Sequence, residues 1–266
     1  MTLTTAETER QRREREYYDQ FAAYHSLAEP SYEPISGKET RPWNPYWRIF
    51  QLAQERFTPG ARLLDFGCGW GNNAMVFAKI GYDVHGFDIS PANIASTRLL
   101  AEKCGVADKV HVDLGVAEAL EYPADFFDVV VGVDILHHVE VERSLRETYR
   151  VLKPGGIALF REPVEQPVFD AVRNTALVRW LFPNGKSFEK HITDDERKLN
   201  GQDFKIVRSV FPNARVESFR MLSRLERFGP RFIMPLEKLD MALNRVPGYS
   251  WWQGTVIFIL EKPRDS

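Results

Sequence analysis

The segment Leu63-Leu64-Asp65-Phe66-Gly67-Cys68-Gly69-Trp70-Gly71-Asn72-Asn73 constrains the fold more than any other part of the 266-residue chain. An apolar run of strand type passes into glycines at alternate positions and then into a helical pattern. Glycines there let the backbone approach a ligand closely, and the helix start presents free N–H groups. By itself such a loop serves a nucleotide phosphate, a dinucleotide or tight strand–helix packing.

The surrounding period supports an alternating architecture. Apolar runs of strand type occupy Ala61–Phe66, Tyr82–Asp88, Lys109–Leu114, Phe127–Val133 and Gly156–Arg161, with helical patterns over Gly71–Ile80, Pro91–Cys104 and Val141–Leu152 between them. Such alternation predicts right-handed βαβ units and a parallel sheet covered on both faces. Ahead of it, Thr5–His25 reads as an amphipathic helix with Tyr17, Phe21 and Tyr24 on one face. A proline-broken stretch, Glu29–Asn44, and a short helix near Tyr46–Glu55 follow. After Arg161 the alternation stops, and two further strands are expected at Ala214–Met221 and Gly254–Glu261, with an apolar, basic stretch from Leu222 to Val246 between them. The expected division is a helical cap over 1–57 and a main domain over 58–266, with an acceptor-covering insertion over 162–208.

Two details narrow the ligand. A dinucleotide fingerprint places its third glycine where this chain has Asn72. Asp65, at the mouth of the strand, would repel a pyrophosphate, whereas an acid there suits a ligand with an ammonium group and a cationic centre. Val84-His85-Gly86-Phe87-Asp88 ends the next strand in a carboxylate 21 residues after Gly67, where it can accept both hydroxyls of a ribose. Ser90 reads as the cap of a helix whose first residue is Pro91.

Leu-Leu-Asp-Phe-Gly-Cys-Gly-Trp-Gly at 63–71, Gly-Phe-Asp-Ile-Ser at 86–90, Phe-Phe-Asp-Val-Val at 126–130, Leu-His-His-Val at 136–139 and Arg-Val-Leu-Lys-Pro-Gly-Gly at 150–156 occur in that order. Together they resemble a class I S-adenosylmethionine-dependent methyltransferase of the small-molecule subgroup, over about residues 61 to 161. The resemblance implies an α/β, Rossmann-like sheet of order 3-2-1-4-5-7-6 with an antiparallel last-numbered strand. It implies S-adenosyl-L-methionine as cofactor and S-adenosyl-L-homocysteine as product. Asp65 resembles the acid that orders the methionine amino group, and Gly67, Gly69 and Gly71 the loop under methionine and ribose. Asp88 resembles the ribose acid, Ile89 the residue packing on adenine, and Asp134 a residue lining the methionine side. Many relatives carry an Asp facing the adenine amino group where this chain has Val116, so Ala117 and Glu118 are the remaining candidates there.

Methyl transfer from a sulfonium asks the protein mainly to hold an acceptor on axis in a dry cleft. A general base helps where the acceptor has a proton to lose. His137 and His138 follow the fourth strand at the carboxyl edge, with one of the two expected to point into the cleft. Glu162 follows the fifth strand on the same edge, and His191 sits near a helix start. These four are the candidate catalytic residues. No His, Asp, Glu or Cys spacing suggests a metal.

The acceptor is expected to be a small organic or lipid-like molecule covered by aromatic side chains such as Tyr17, Tyr18, Tyr24, Trp43, Trp47, Phe169, Trp180 and Phe188. A net charge of −2 and the lack of a basic stripe exclude nucleic acid. Between Arg161 and Arg245 sixteen Lys or Arg face twelve Asp or Glu, so peripheral contact with a membrane surface stays open beside a simple packed helix. No apolar run nears the ~18 residues of a membrane span, and two cysteines make no disulfide framework. A cytoplasmic enzyme is expected. A silent S-adenosylmethionine-binding scaffold and a nicotinamide dehydrogenase are the alternatives, the second opposed by Asn72 and Asp65.

Overall fold

The computed structural model describes residues 8–22, 28–165, 197–219, 233–246, 248–249 and 254–264. Seven strands form one sheet in the order β3-β2-β1-β4-β5-β7-β6. They are β1 (Arg62–Phe66), β2 (Asp83–Asp88), β3 (Val110–Leu114), β4 (Phe127–Val133), β5 (Leu152–Pro163), β6 (Arg215–Phe219) and β7 (Thr255–Glu261). Strands β1 to β5 pair in parallel, and β7 runs antiparallel to both β5 and β6. The expected order and the reversed last strand are both present.

Seven α-helices are described: α1 (Glu9–Ala22), α2 (Pro45–Glu55), α3 (Asn72–Ile80), α4 (Pro91–Lys103), α5 (Val141–Val151), α6 (Gly201–Val210) and α7 (Ile233–Leu243). Their starts follow local chemistry. Ser90 accepts from Asn93 N–H at 3.1 Å with Pro91 as the first helical residue, and Asn44 caps α2 through the amides of Tyr46 and Trp47. Helix α6 was not anticipated by apolar period, although Asn200 and Asp203 form a reciprocal capping box at its start. Within the expected helix Thr5–His25, α1 spans Glu9–Ala22, and within Leu222–Val246, α7 spans Ile233–Leu243 with Met234, Leu239 and Met241 exposed. No helix among the described residues is long and apolar enough to cross a membrane.

Side chains alternate across the sheet. On one face Leu63, Val131 and Leu159 pack with Ile49, Phe50 and Ala53 of α2 and Met75 and Phe77 of α3. On the other, Leu64, Val130, Phe160 and Phe258 pack with Leu145 of α5, Val207 of α6 and Phe211. This parity decides which end-of-strand residues face which side. Arg161 continues the face of Ile157 and Leu159, and Glu162 the face of Ala158 and Phe160.

Gly132, paired with Phe160 across β4 and β5, is where the second face is tightest. A Cβ there would lie 2.5 Å from the Phe160 ring and 2.8 Å from Ile135. Gly132→Ala is therefore expected to destabilise the fold by about 1–3 kcal/mol through overpacking. Urea unfolding measures this, and an unchanged midpoint would contradict the packing.

Candidate functional site

Connections after β1, β2, β3 and β4 all leave the same edge of the sheet. The chain order reverses between β1 and β4, so their loops diverge and open a crevice, the usual ligand position in an open α/β sheet. A cleft of about 930 Å³ lies there. Its floor and walls include the glycine loop, Asp88, Ile89, residues 115–118 and residues 133–140, and α1 roofs it through Arg10, Gln11, Glu14, Tyr17 and Tyr18.

The three loop glycines have different reasons to be glycine. All have positive φ, at 74°, 52° and 92° for Gly67, Gly69 and Gly71. A Cβ on Gly67 would strike the Ile135 side chain at 2.8 Å, and one on Gly71 would strike Thr97 at 2.8 Å. A Cβ on Gly69 would meet nothing within 4 Å. Gly67 and Gly71 thus let the loop pack, while Gly69 turns its backbone beside open space. Asp88 fixes this loop: its carboxylate accepts from Gly69 N–H at 3.0 Å, Ser90 N–H at 2.9 Å and the Asn93 amide at 3.1 Å. Burial still raises its pKa, against the pull of those donors.

Asp65 is in a different position. It is 1% exposed and lies under the glycine loop, and neither of its oxygens has a hydrogen-bond partner of normal geometry among the described residues. Burial pushes its pKa well above the carboxylate range and the nearby Asp88 adds to this, while the Ala74 N–H at the start of α3 opposes it. A carboxyl left this way is matched to a cation that arrives from outside. Past β3, Val116 and Ala117 give the cleft an apolar side. Glu118, expected near the adenine, is occupied: it accepts from Gln11 of the roof at 3.0 Å and from Glu140 N–H at 2.9 Å.

Beyond β4 a 3-10 turn, Leu136–His138, sets the two histidines side by side, with ring centroids 4.2 Å apart. Both line the cleft, which corrects the expectation that only one does. Glu162 makes this turn. Completely buried, it accepts from Ile135 N–H at 2.9 Å and Leu136 N–H at 2.8 Å, and binds His137 Nδ1 at 2.7 Å. It is not part of the cleft wall, so the expectation that it meets the acceptor is wrong: its strand parity turns it to the opposite face. His138 is held from above, its Nε2 3.3 Å from the Tyr18 hydroxyl and its Nδ1 3.4 Å from Glu14. Asp134, with a φ of 54°, pairs with Arg161. The roof is pinned again where Asp19 accepts from the Ser90 hydroxyl at 2.5 Å.

The structure thus gathers Gly67, Gly69, Gly71, Asp88, Ile89, Ala117, Glu118, Asp134, His137 and His138 around one cleft, with Asp65 beneath it. His191, Tyr24, Phe169, Trp180 and Phe188 lie outside the described residues. Arg161, Tyr46 and the α1 residues Glu14 and Gln11 also shape the cleft and were not singled out. For Arg161 the signal was available in strand parity. For α1 it was not, because charged helix positions do not reveal what they dock on.

The sheet order, the glycine loop after β1 and the acid ending β2 are those that the resemblance to class I S-adenosylmethionine-dependent methyltransferases implies. Residues 64–160, about a third of the chain, match the family described as a methyltransferase domain. The chain is 35% identical over 150 residues to a ubiquinone biosynthesis O-methyltransferase of Ruegeria pomeroyi, covering 54% of this chain and 59% of the relative. A protein of the same description from Roseobacter denitrificans is 36% identical over 151 residues, with coverages of 54% and 59%. The matched segment thus spans about three fifths of these relatives' length. Among solved structures, geranyl diphosphate C-methyltransferase of Streptomyces coelicolor superposes with a TM-score of 0.61 at 13% identity, covering 96% of this chain and 98% of the other. The cyclase SpnF superposes with a TM-score of 0.60 at 21% identity, covering 97% and 98%. At such identities the likeness is one of fold.

The orphaned carboxyl gives a direct test. Asp65 holds its proton more tightly folded than unfolded, so folding takes up a proton and stability falls as pH rises from the ordinary carboxylate range toward the raised value. In ligand-free Asp65→Asn that part of the decline should vanish, with no loss of stability near neutral pH. Unfolding midpoints across pH measure it, and parallel profiles for the two proteins would show that Asp65 is not the strained group.

Proposed function

We propose that the chain transfers the methyl group of S-adenosylmethionine to a hydroxyl of a small organic or lipid-like acceptor, with His137 as the general base. The observation that carries this is the 2.7 Å contact between Glu162 and His137 Nδ1 beside the cleft. A carboxylate accepts there, so Nδ1 carries the proton and the basic lone pair is on Nε2.

The residues present fit the cofactor. Asp65 is an unpaired buried acid suited to the amino group, and Gly69 has room beside its backbone. Asp88 commits three acceptor positions to the loop and α4, which leaves capacity on Oδ2 for a ribose hydroxyl. Ile89, Val116 and Ala117 offer the adenine an apolar slot, and Asp134 borders the methionine side. When bound, S-adenosylmethionine supplies an electrophilic methyl carbon on its sulfonium.

What the chain itself does follows from the cleft. The roof of α1 and the aromatic rings of Tyr17, Tyr18 and Tyr46 exclude water and favour a flat, apolar acceptor body. Orientation of this kind is worth ~7–11 kcal/mol of the barrier. With the cofactor bound, His137 would take the hydroxyl proton of the acceptor, and buried Glu162 would stabilise the resulting imidazolium. His138, held between Glu14 and Tyr18, fixes the roof over that reaction. An acceptor oxygen agrees with the relatives described as O-methyltransferases, and a roofed cleft favours an enclosed small molecule over one bound at a membrane surface.

His137→Ala is expected to lower kcat by roughly 10²–10⁴ toward a phenolic or catechol acceptor while leaving S-adenosylhomocysteine affinity nearly unchanged. Methyl transfer assayed on a panel of such acceptors, with calorimetry for the product, tests both halves. Full activity in the variant overturns the base assignment. Binding of NAD in preference to S-adenosylmethionine would overturn the reaction class, and cofactor binding without transfer to any acceptor would favour a scaffold.

A further inference from the structure

Arg161 lies near the end of β5, on the face of the sheet that carries Asp65. The register fixes this: Asp65 pairs with Val131, Val131 with Leu159, and Val133 with Arg161. Strands lie ~4.8 Å apart and rise ~3.3 Å per residue, so Arg161, two strands across and two residues further along than Asp65, stands roughly 12 Å from it. One is a buried carboxyl with no hydrogen-bond partner of normal geometry among the described residues, and the other a cation on the cleft wall.

The guanidinium is only partly used. Nη1 pairs with Asp134, while Nε is buried and has no hydrogen-bond partner among the described residues. The remaining Nε–Nη2 edge is the planar fork that matches a carboxylate with two parallel hydrogen bonds. Tyr46, at the start of α2, lines the same part of the cleft. Burial raises its pKa, Arg161 lowers it and Asp65 raises it.

We propose that Arg161, with Tyr46 beside it, holds the α-carboxylate of the cofactor's amino-acid end. Asp65 and Arg161 then meet a zwitterion with opposite charges at the right ends. This rests on the reading of the cleft as an S-adenosylmethionine site. The pairing explains why a buried acid is left without a hydrogen bond of normal geometry and why an arginine carries a buried N–H with none. Asp134 neutralises the arginine before the ligand arrives and, being about half exposed, returns to water at little cost when Arg161 turns to its ligand.

The test compares S-adenosylhomocysteine with 5′-methylthioadenosine, which keeps the nucleoside and thioether but lacks the amino acid. Calorimetry on the full chain should show wild type binding the first more tightly. Arg161→Ala should weaken S-adenosylhomocysteine roughly ten- to hundredfold and leave 5′-methylthioadenosine unchanged, which also shows an intact nucleoside site. Arg161→Lys should fall between, having charge without the fork. Unchanged S-adenosylhomocysteine affinity overturns the proposal, and so does an equal loss for both ligands. If affinity stays and the acceptor KM rises, Arg161 serves a carboxylate on the acceptor and the proposal is again wrong. Wild type binding neither compound would instead remove the S-adenosylmethionine reading itself.

Discussion

A carboxylate taken out of water must be met by donors, paired with a cation or left protonated, because its desolvation costs several kcal/mol. Four acids stand at or just past the ends of β1, β2, β4 and β5, and the chain treats each differently. Asp88 is met by backbone N–H groups that shape the glycine loop. Glu162 is met by two amides and an imidazole, which creates the turn carrying His137. Asp134 takes Arg161. Asp65 alone of the four has no hydrogen bond of normal geometry among the described residues, the Ala74 N–H only partly offsetting its burial. The cleft is largely the result of how these four demands are answered.

Much of this was legible in the chain. The alternation of apolar runs marked five strands and two later apolar runs marked the other two, each to within a few residues, and the motifs around Gly67, Asp88 and Leu136 identified the edge that binds. Glu162 was misplaced for a definite reason. Proximity to a strand end locates a residue along the sheet, but period two decides its face, and Ile157, Leu159 and Arg161 already marked the cleft side. The packing role of Gly67 was also hidden, since its neighbour is Ile135, far along the chain. Helix α6 announced itself by the Asn200 and Asp203 capping box more than by any apolar stripe.

Fold and chemistry separate clearly here. A protein described as a C-methyltransferase and one described as a cyclase superpose on this chain about equally well. What distinguishes outcomes on such a scaffold is the placement of a few polar atoms around the cleft. In this chain those atoms come from the turn after β4, from the end of β5 and from α1.

Helix α1 touches the rest of the cleft across long stretches of chain: Asp19 reaches 71 residues to Ser90, Gln11 107 to Glu118, and Tyr18 120 to His138. The sheet and its packed faces use none of these contacts. Undocking one amphipathic helix is therefore a local unfolding event, cheap beside disruption of the sheet. The roof that excludes water is also the part of the cleft whose release least disturbs the fold, so ligand exchange and global stability draw on different sets of contacts.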